Sequence, residues 1–131
     1  MLDDITAGTS GTLTRLVEEK DCTTRGDYQI FSTPNLVLLL EETAIEALAP
    51  FLPETQSSVG TNVNVVHSAA TLLGQVVTCT ATVTEVDRRR IVFDITATDG
   101  VDTITSGSHE RFVVDLDKFG KRLAEKAAAV S

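Results

Sequence analysis

The sequence predicts an α+β fold in which one long helix lies against a curved antiparallel β-sheet, with a second helix at the end of the chain. Two observations predict it. A capped helical segment starts near residue 34, and the segments that follow alternate apolar and polar residues, as strands do. With 131 residues, of which 42% are apolar and 23% charged, the chain fits one globular domain over residues 1–131.

The segments on either side of the predicted helix show little regular pattern. Residues 12–17 predict a first strand. Residues 21–29 are polar and contain Gly26, which favours a loop. Residues 56–60, after the helix, are also polar and are expected to form a second loop.

The central helix has start and stop signals. Pro34 is expected in its first turn, where a missing N–H is tolerated, and Ser32 and Thr33 just before it are capping residues. The Thr33 hydroxyl could also stabilise an oxyanion, since the start of a helix favours negative charge. We expect the helix to run to about Ala49 and to stop before Pro50.

The rest of the chain predicts a four-stranded antiparallel meander and a terminal helix. Asp99-Gly100 is a strong turn signal, and Asp87-Arg88 is a second turn candidate. Residues 117–130 predict the terminal helix. The predicted strands are residues 62–71, 75–86, 89–98 and 103–114.

Charge and composition exclude several classes of function. The net charge of −8 argues against nucleic-acid binding, because no overall basic field is available to neutralise phosphates. The longest apolar run, residues 36–40, is too short to span a membrane, and the first residues show no signal-peptide pattern, so we expect a cytoplasmic protein. Two histidines and two cysteines without ligand spacing predict no metal site.

A carboxylate lies on the predicted buried stripe of the helix. At about 100° per residue, Glu41 shares one face with five apolar residues, and a buried charge is costly unless it is paired. Glu41 therefore either has a chemical role or lies at the edge of the stripe, where it can bond a strand end. The apolar residues of this stripe are Val37, Leu38, Ala44, Ile45 and Leu48.

An imidazole lies on the apolar face of the first strand after the helix. His67 alternates with Val63, Val65 and Ala69, so we expect it to face the helix. A single buried histidine is often only a hydrogen-bonded core residue. If His67 and Glu41 meet, however, the pair could hold a water molecule or an acyl group.

Six segments, in order and spacing, resemble the hot-dog-fold thioesterases of the fluoroacetyl-CoA thioesterase type. The resemblance extends from about Ser10 to Phe119. It implies a hot-dog fold, in which the sheet wraps the long helix, and a homodimer with its active site at the subunit interface. The segments are Phe31-Ser32-Thr33-Pro34, Leu40-Glu41-Glu42-Thr43-Ala44, Val59-Gly60-Thr61, Val65-Val66-His67-Ser68-Ala69-Ala70-Thr71, Asp99-Gly100-Val101-Asp102 and Ser106-Gly107-Ser108-His109-Glu110-Arg111-Phe112.

The resemblance implies hydrolysis of an acyl-CoA, with coenzyme A as part of the substrate and no other cofactor. The family's catalytic threonine, glutamate and histidine match Thr33, Glu41 and His67. Its glycine, whose amide contacts the thioester carbonyl, matches Gly60, and its arginine implicated in coenzyme A binding matches Arg111. We expect the histidine to act as general base and the glutamate to orient it, to orient water or to attack directly. We expect the threonine to donate a hydrogen bond or to attack.

One position departs from the family. Where the fluoroacetyl-specific enzyme has a gating phenylalanine, the gap-free match here is Asp27, with Tyr28 beside it. The resemblance therefore favours a general short- or medium-chain acyl-CoA thioesterase. Further cations that could reach coenzyme A lie at residues 88–90 and on the terminal helix, where charge runs usually solvate the surface. His109 and Glu110 share the family's pattern, and no role is assigned to them.

Two other classes of function remain open at the level of sequence. A hot-dog dehydratase would use the same architecture on a β-hydroxyacyl thioester without releasing thiol, because a fold alone does not choose its chemistry. A non-catalytic acyl-CoA-binding module would keep the pocket and would not need Glu41 or His67. A purely structural interaction domain is disfavoured by the two polar residues on apolar faces.

Overall fold

A computed structural model of the chain describes residues 1–130. Seven strands and two helices follow one another, with short 3-10 turns at residues 2–4, 19–21 and 49–51. The elements are β1 (Ser10–Leu16), β2 (Cys22–Arg25), β3 (Tyr28–Phe31), α1 (Thr33–Leu48), β4 (Gln56–His67), β5 (Val76–Asp87), β6 (Arg90–Thr98), β7 (Thr103–Asp115) and α2 (Leu116–Val130).

Five strands form one antiparallel sheet in the order β1-β5-β6-β7-β4, which curves around α1. The predicted meander is therefore only partly correct. Strands β5, β6 and β7 are consecutive neighbours, but β4 pairs with β7 and not with β5. The last sheet strand in sequence order is therefore not at an edge, and the two edges are formed by β1 and β4. This α+β arrangement of one helix in a curved sheet is the predicted fold class.

The buried stripe of α1 differs from the predicted one. Ser32 caps the helix by accepting a hydrogen bond from the amide of Asn35 at 3.3 Å. Leu38 and Ile45 are about half exposed, and Glu41 is half-buried, so this face of the helix lies at the edge of the packed surface. The stripe is rotated by about one residue because α1 packs mainly against β1 and β5, to one side of its axis. Its buried residues are Leu36, Leu39, Leu40, Thr43, Ala44, Ala47 and Leu48.

Two segments that were expected to be loops are strands. Within residues 21–29, β2 and β3 form a hairpin that turns at Gly26, whose φ of 59° is in the left-handed region. Each strand has only four residues, too few for alternation to be recognised. Residues 56–60 belong to β4, an edge strand with one face open, where polar residues are tolerated.

The sheet supplies the rest of the core, as its alternation predicts. The inward residues of β5 and β6 are at most 3% exposed, and Cys79 among them is a small core residue. α2 has no buried residue. Across residues 1–130, no helix combines the length and the apolarity that crossing a membrane requires. The inward residues of the two strands are Val77, Cys79, Ala81, Val83, Ile91, Phe93, Ile95 and Ala97.

Candidate active site

Thr33 and His67 meet at the mouth of α1. Thr33 is the first residue of the helix and His67 the last residue of β4. The Thr33 Oγ1 lies 2.8 Å from the His67 Nδ1, within hydrogen-bond distance. The predicted position of His67 on the helix-facing side of its strand is therefore confirmed. We call these two residues the Thr33–His67 pair.

A cavity of about 390 Å³ opens beside this pair. Its wall includes the β2–β3 hairpin, the start of α1 and the segment after β4. The second ring nitrogen of His67, Nε2, is shielded from solvent and has no hydrogen-bond partner within residues 1–130. An unsatisfied polar atom is costly and is unusual in a folded protein, which singles out this nitrogen among the buried polar atoms of the described residues.

Glu41, further along α1, lies close to Gly60 on β4. A Cβ built on Gly60 would lie 2.6 Å from Glu41 Oε1 and 3.3 Å from Arg111 Nη1. A side chain at this position would displace the Glu41 carboxylate, so the absence of a Cβ lets the carboxylate lie against the β4 backbone. We call these residues the Glu41–Gly60 pair.

The two pairs are apart within one protomer. Thr33 and Glu41 are eight residues apart on α1, which corresponds to about 12 Å along its axis. Within residues 1–130, Glu41 forms no hydrogen bond or ion pair with Thr33 or His67. The structure therefore brings together Thr33 with His67 and Glu41 with Gly60, but it does not join the two pairs in a single chain.

Arg111 is not placed to bind a phosphate in the protomer. Its side chain is 3% exposed, and three of its donors are used: Nε donates to Ser58 Oγ at 2.8 Å, Nη2 to Ser58 O at 3.0 Å and Nη1 to His109 Nε2 at 3.2 Å. Burial lowers the pKa of the Arg111 guanidinium, and the charge of Glu41 acts in the opposite direction. Within the described residues, the Arg111 donors are therefore directed at Ser58 and His109.

The arginines at the β5–β6 turn are mostly paired with carboxylates. Arg90 donates to Glu85 and Glu110, and these two bonds raise the pKa of its guanidinium. Arg89 donates to Asp115 at 3.2 Å. These ion pairs support the interpretation of the turn as charged surface.

Arg25 is a cavity residue that no sequence pattern indicated. It lies on β2 and lines the cavity beside Thr33 and His67. Its Nη1 donates to the carbonyl of Thr24 at 2.8 Å, and no carboxylate within residues 1–130 pairs with it. Arg25 is thus a cation on the wall of the cavity. The sequence did not indicate it, because residues 21–29 were predicted to form a loop. Asp27 and Tyr28, by contrast, are exposed and do not line this cavity.

Comparison with known proteins agrees with the fold. A profile of fluoroacetyl-CoA-specific thioesterases matches residues 14–117. A fluoroacetyl-CoA thioesterase from Streptantibioticus cattleyicolor is 42% identical over 101 residues, covering 77% of this chain and 73% of that protein. The solved structure of the fluoroacetyl-CoA thioesterase FlK has a TM-score of 0.87 at 34% identity, covering 95% of this chain and 98% of that one. A hot-dog-like protein from Thermanaerovibrio acidaminovorans has a TM-score of 0.83 at 32% identity, covering 92% and 91%.

A sheet wrapped around one long helix, with polar pairs between helix and edge strand, places the chain among the hot-dog-fold enzymes. The profile match covers more than half of the chain, and the relative from Streptantibioticus cattleyicolor supports it at the level of sequence. The chain belongs to the family of fluoroacetyl-CoA-specific thioesterases. It is thus a thioester hydrolase.

Proposed function

We propose that the protein hydrolyses a short- or medium-chain acyl-CoA to the free acid and coenzyme A. The observation that carries this proposal is the Thr33–His67 pair, whose two residues both line the cavity. A thioester needs a base to activate water and donors to stabilise the oxyanion, and both kinds of group border this cavity or the adjoining edge of β4.

The chemistry assigns one step to each group. His67 takes a proton from water, which attacks the thioester carbonyl carbon, while the Gly60 amide and the Thr33 hydroxyl stabilise the oxyanion. When the tetrahedral intermediate collapses, the carbon–sulfur bond breaks and His67 returns the proton to the thiolate. Glu41 orients the water or the imidazole. A covalent route, in which Glu41 or Thr33 attacks first, uses the same residues.

A homodimer supplies the missing contact between the two pairs. β4 is an edge strand, and its free side can pair with β4 of a second copy. A two-fold axis near Val63 and Asn64, at the middle of the segment between Gly60 and His67, brings the Gly60 end of one strand beside the His67 end of the other. Each active site then consists of the Thr33–His67 pair of one protomer and the Glu41–Gly60 pair of its partner.

Uncovered apolar side chains support this assembly. Leu38 and Ile45 flank Glu41 on the same helix face, and both are about half exposed. Val63, on the same face of β4 as His67, is 37% exposed. Large apolar side chains grouped at a sheet edge are typical of an interface.

The acyl group is proposed to be short or medium in length, without selectivity for fluorine. The position matching the family's gating phenylalanine, Asp27, lies at the tip of the hairpin and outside the cavity wall. The aromatic ring of that wall belongs to Phe31, which is buried in the core and held by the β3 ladder. We find no aromatic gate over the cavity within residues 1–130.

The function is tested by assaying thiol release over a series of saturated acyl-CoAs from acetyl to dodecanoyl, with fluoroacetyl-CoA included. We expect turnover with the short and medium chains and no preference of more than about tenfold for fluoroacetyl over acetyl. Conversion of a β-hydroxyacyl-CoA without thiol release would indicate the dehydratase instead. Binding without any turnover would indicate the non-catalytic module.

Arg25 is expected to contact a phosphate of coenzyme A. Its replacement in Arg25→Gln should raise KM for acyl-CoA about 5- to 10-fold and leave kcat nearly unchanged, because one charged hydrogen bond to the substrate is lost. With the N-acetylcysteamine thioester, which lacks the phosphates, KM should not change. Lys126→Gln, the same charge change on exposed α2, is the control. An equal rise in KM for both thioesters would contradict the assignment.

A further inference from the structure

His109 is a buried imidazole that contacts Arg111, which lies next to the Glu41–Gly60 pair. It is 1% exposed, and its ring stacks on Phe93 with centroids 6.2 Å apart. Its Nδ1 lies 2.8 Å from the carbonyl oxygen of Asn62, and its Nε2 lies 3.2 Å from Nη1 of Arg111. Both ring nitrogens are therefore engaged, each with a different element of the site.

These two partners fix the tautomer of His109. A carbonyl oxygen only accepts and a guanidinium only donates, so Nδ1 must carry the hydrogen and Nε2 must present its lone pair. Protonation would place a second N–H against the Arg111 guanidinium and two positive charges beside each other. Only the neutral imidazole fits this position.

The two bonds hold the part of β4 that presents Gly60. The β4–β7 register shifts between Gly60 and Asn62, which leaves Thr61 as an extra residue in the ladder. The Asn62 carbonyl that accepts from His109 lies at one end of this bulge. Arg111, which donates to His109, is the cross-strand partner of Gly60 at the other end.

We propose that His109 is a positioning residue for the thioesterase reaction. It fixes the β4 bulge on one side and the Arg111 guanidinium on the other. Through these contacts His109 positions the Gly60 amide and the Glu41 carboxylate. This inference rests on the proposed function, to which it adds a residue that does not itself touch the substrate.

The charges around His109 are consistent with a neutral ring. Burial lowers the pKa of His109, and the charge of Arg111 on β7 acts in the same direction. The carbonyl of Asn62 on β4 and the charges of Glu41 on α1 and Glu110 on β7 act in the opposite direction. Phe93 on β6, the remaining neighbour, carries no charge.

The tautomer can be observed directly, because the chain has only two histidines. A two-bond ¹H–¹⁵N spectrum of the ¹⁵N-labelled protein shows both imidazoles, and the His67→Ala variant leaves the signals of His109 alone. We expect the neutral Nδ1–H tautomer at pH 7 and its persistence below pH 6.5. An Nε2–H tautomer, or a cationic ring at pH 7, would overturn the proposal.

Three variants separate positioning from simple core packing. His109→Leu removes both hydrogen bonds, whereas His109→Gln can still accept from Arg111 and His109→Asn can still donate to Asn62. We expect kcat to fall at least about tenfold in His109→Leu, KM for acyl-CoA to change less than about threefold, and His109→Gln to recover most of the loss. Wild-type kcat in folded His109→Leu would contradict the role. If that variant does not fold, wild-type kcat in His109→Asn, which lacks the acceptor for Arg111, is the contradicting result.

The pH dependence of stability gives a further readout. The folded state binds the His109 proton more weakly than the unfolded state, so the stabilisation is complete above about pH 6.5 and is lost as the pH falls below that value. The difference in Tm between wild type and His109→Gln should therefore shrink from pH 7.5 to pH 5. A constant difference would count against the neutral ring. If wild-type protein releases no thiol, the proposed function fails first, whereas the tautomer experiment remains valid.

Discussion

Replacing His67 with alanine is expected to lower kcat for acyl-CoA hydrolysis by about 10²- to 10⁴-fold, or about 2.7–5.5 kcal/mol of transition-state stabilisation. The imidazole contacts Thr33 at 2.8 Å, and His67 lines the cavity. In the proposed mechanism no other group at this position can take the proton from water and return it to sulfur. Thiol release at saturating substrate measures the effect.

His67→Gln is the matched comparison for this prediction. The glutamine amide can still form a hydrogen bond with Thr33, so the structure of the helix start and of the cavity should be retained. An amide, however, cannot act as a base near neutral pH. We expect both variants to melt within a few degrees of wild type and to be similarly inactive. Val101→Ala, at an exposed turn, should retain full activity. A His67→Gln enzyme with more than a tenth of wild-type kcat would contradict general-base catalysis by His67.

Gly107→Ala is expected to cause the largest loss of stability. Gly107 has a φ of 153°, and an added Cβ would lie 2.2 Å from the Asn64 carbonyl oxygen and 2.7 Å from the Val65 Cα. These are backbone atoms of the paired strand, so they cannot rotate away as a side chain would. We expect the free energy of unfolding to fall by about 2–4 kcal/mol, which is the range for overpacked and strained sites. Urea denaturation measures it.

Gly120→Ala is the control for this substitution. Gly120 lies within α2 and an added Cβ meets nothing within 4 Å, so alanine should leave stability unchanged or raise it slightly. Because β4 carries both Gly60 and His67, the Gly107→Ala enzyme should also lose activity at temperatures well below its Tm. Equal denaturation midpoints for Gly107→Ala and wild type would contradict the close approach of β4 and β7.

The sequence correctly predicted α1 and the last three strands, because the local patterns of these four elements are strong. Pro34 and the residues before it define the helix start, and long alternating segments define β5, β6 and β7. The position of β4 was not predictable in this way. Its pairing with β7 depends on how the sheet wraps α1, which is a property of the tertiary fold and leaves no mark on local alternation.

The sequence indicated candidate site residues but not their arrangement. Thr33 and His67, which match the family's catalytic threonine and histidine, are in contact. Glu41 lies at the edge of the packed face of α1, which is one of the two alternatives left open by periodicity, because periodicity cannot resolve a rotation of one residue. Arg25 and His109 were missed because their roles depend on a short hairpin and a bulge, neither of which has a sequence pattern.

We propose that each active site combines the Thr33–His67 pair of one protomer with the Glu41–Gly60 pair of another. This proposal can be tested by mixing His67→Ala and Glu41→Gln chains, each inactive alone, through unfolding and refolding together. Half of the randomly formed dimers then contain both chains, and each of these has one site with both residues intact. We expect the equimolar mixture to regain about a quarter of wild-type thiol release. No activity above that of the separate variants, in a mixture shown by mass spectrometry to contain mixed dimers, would contradict the shared site.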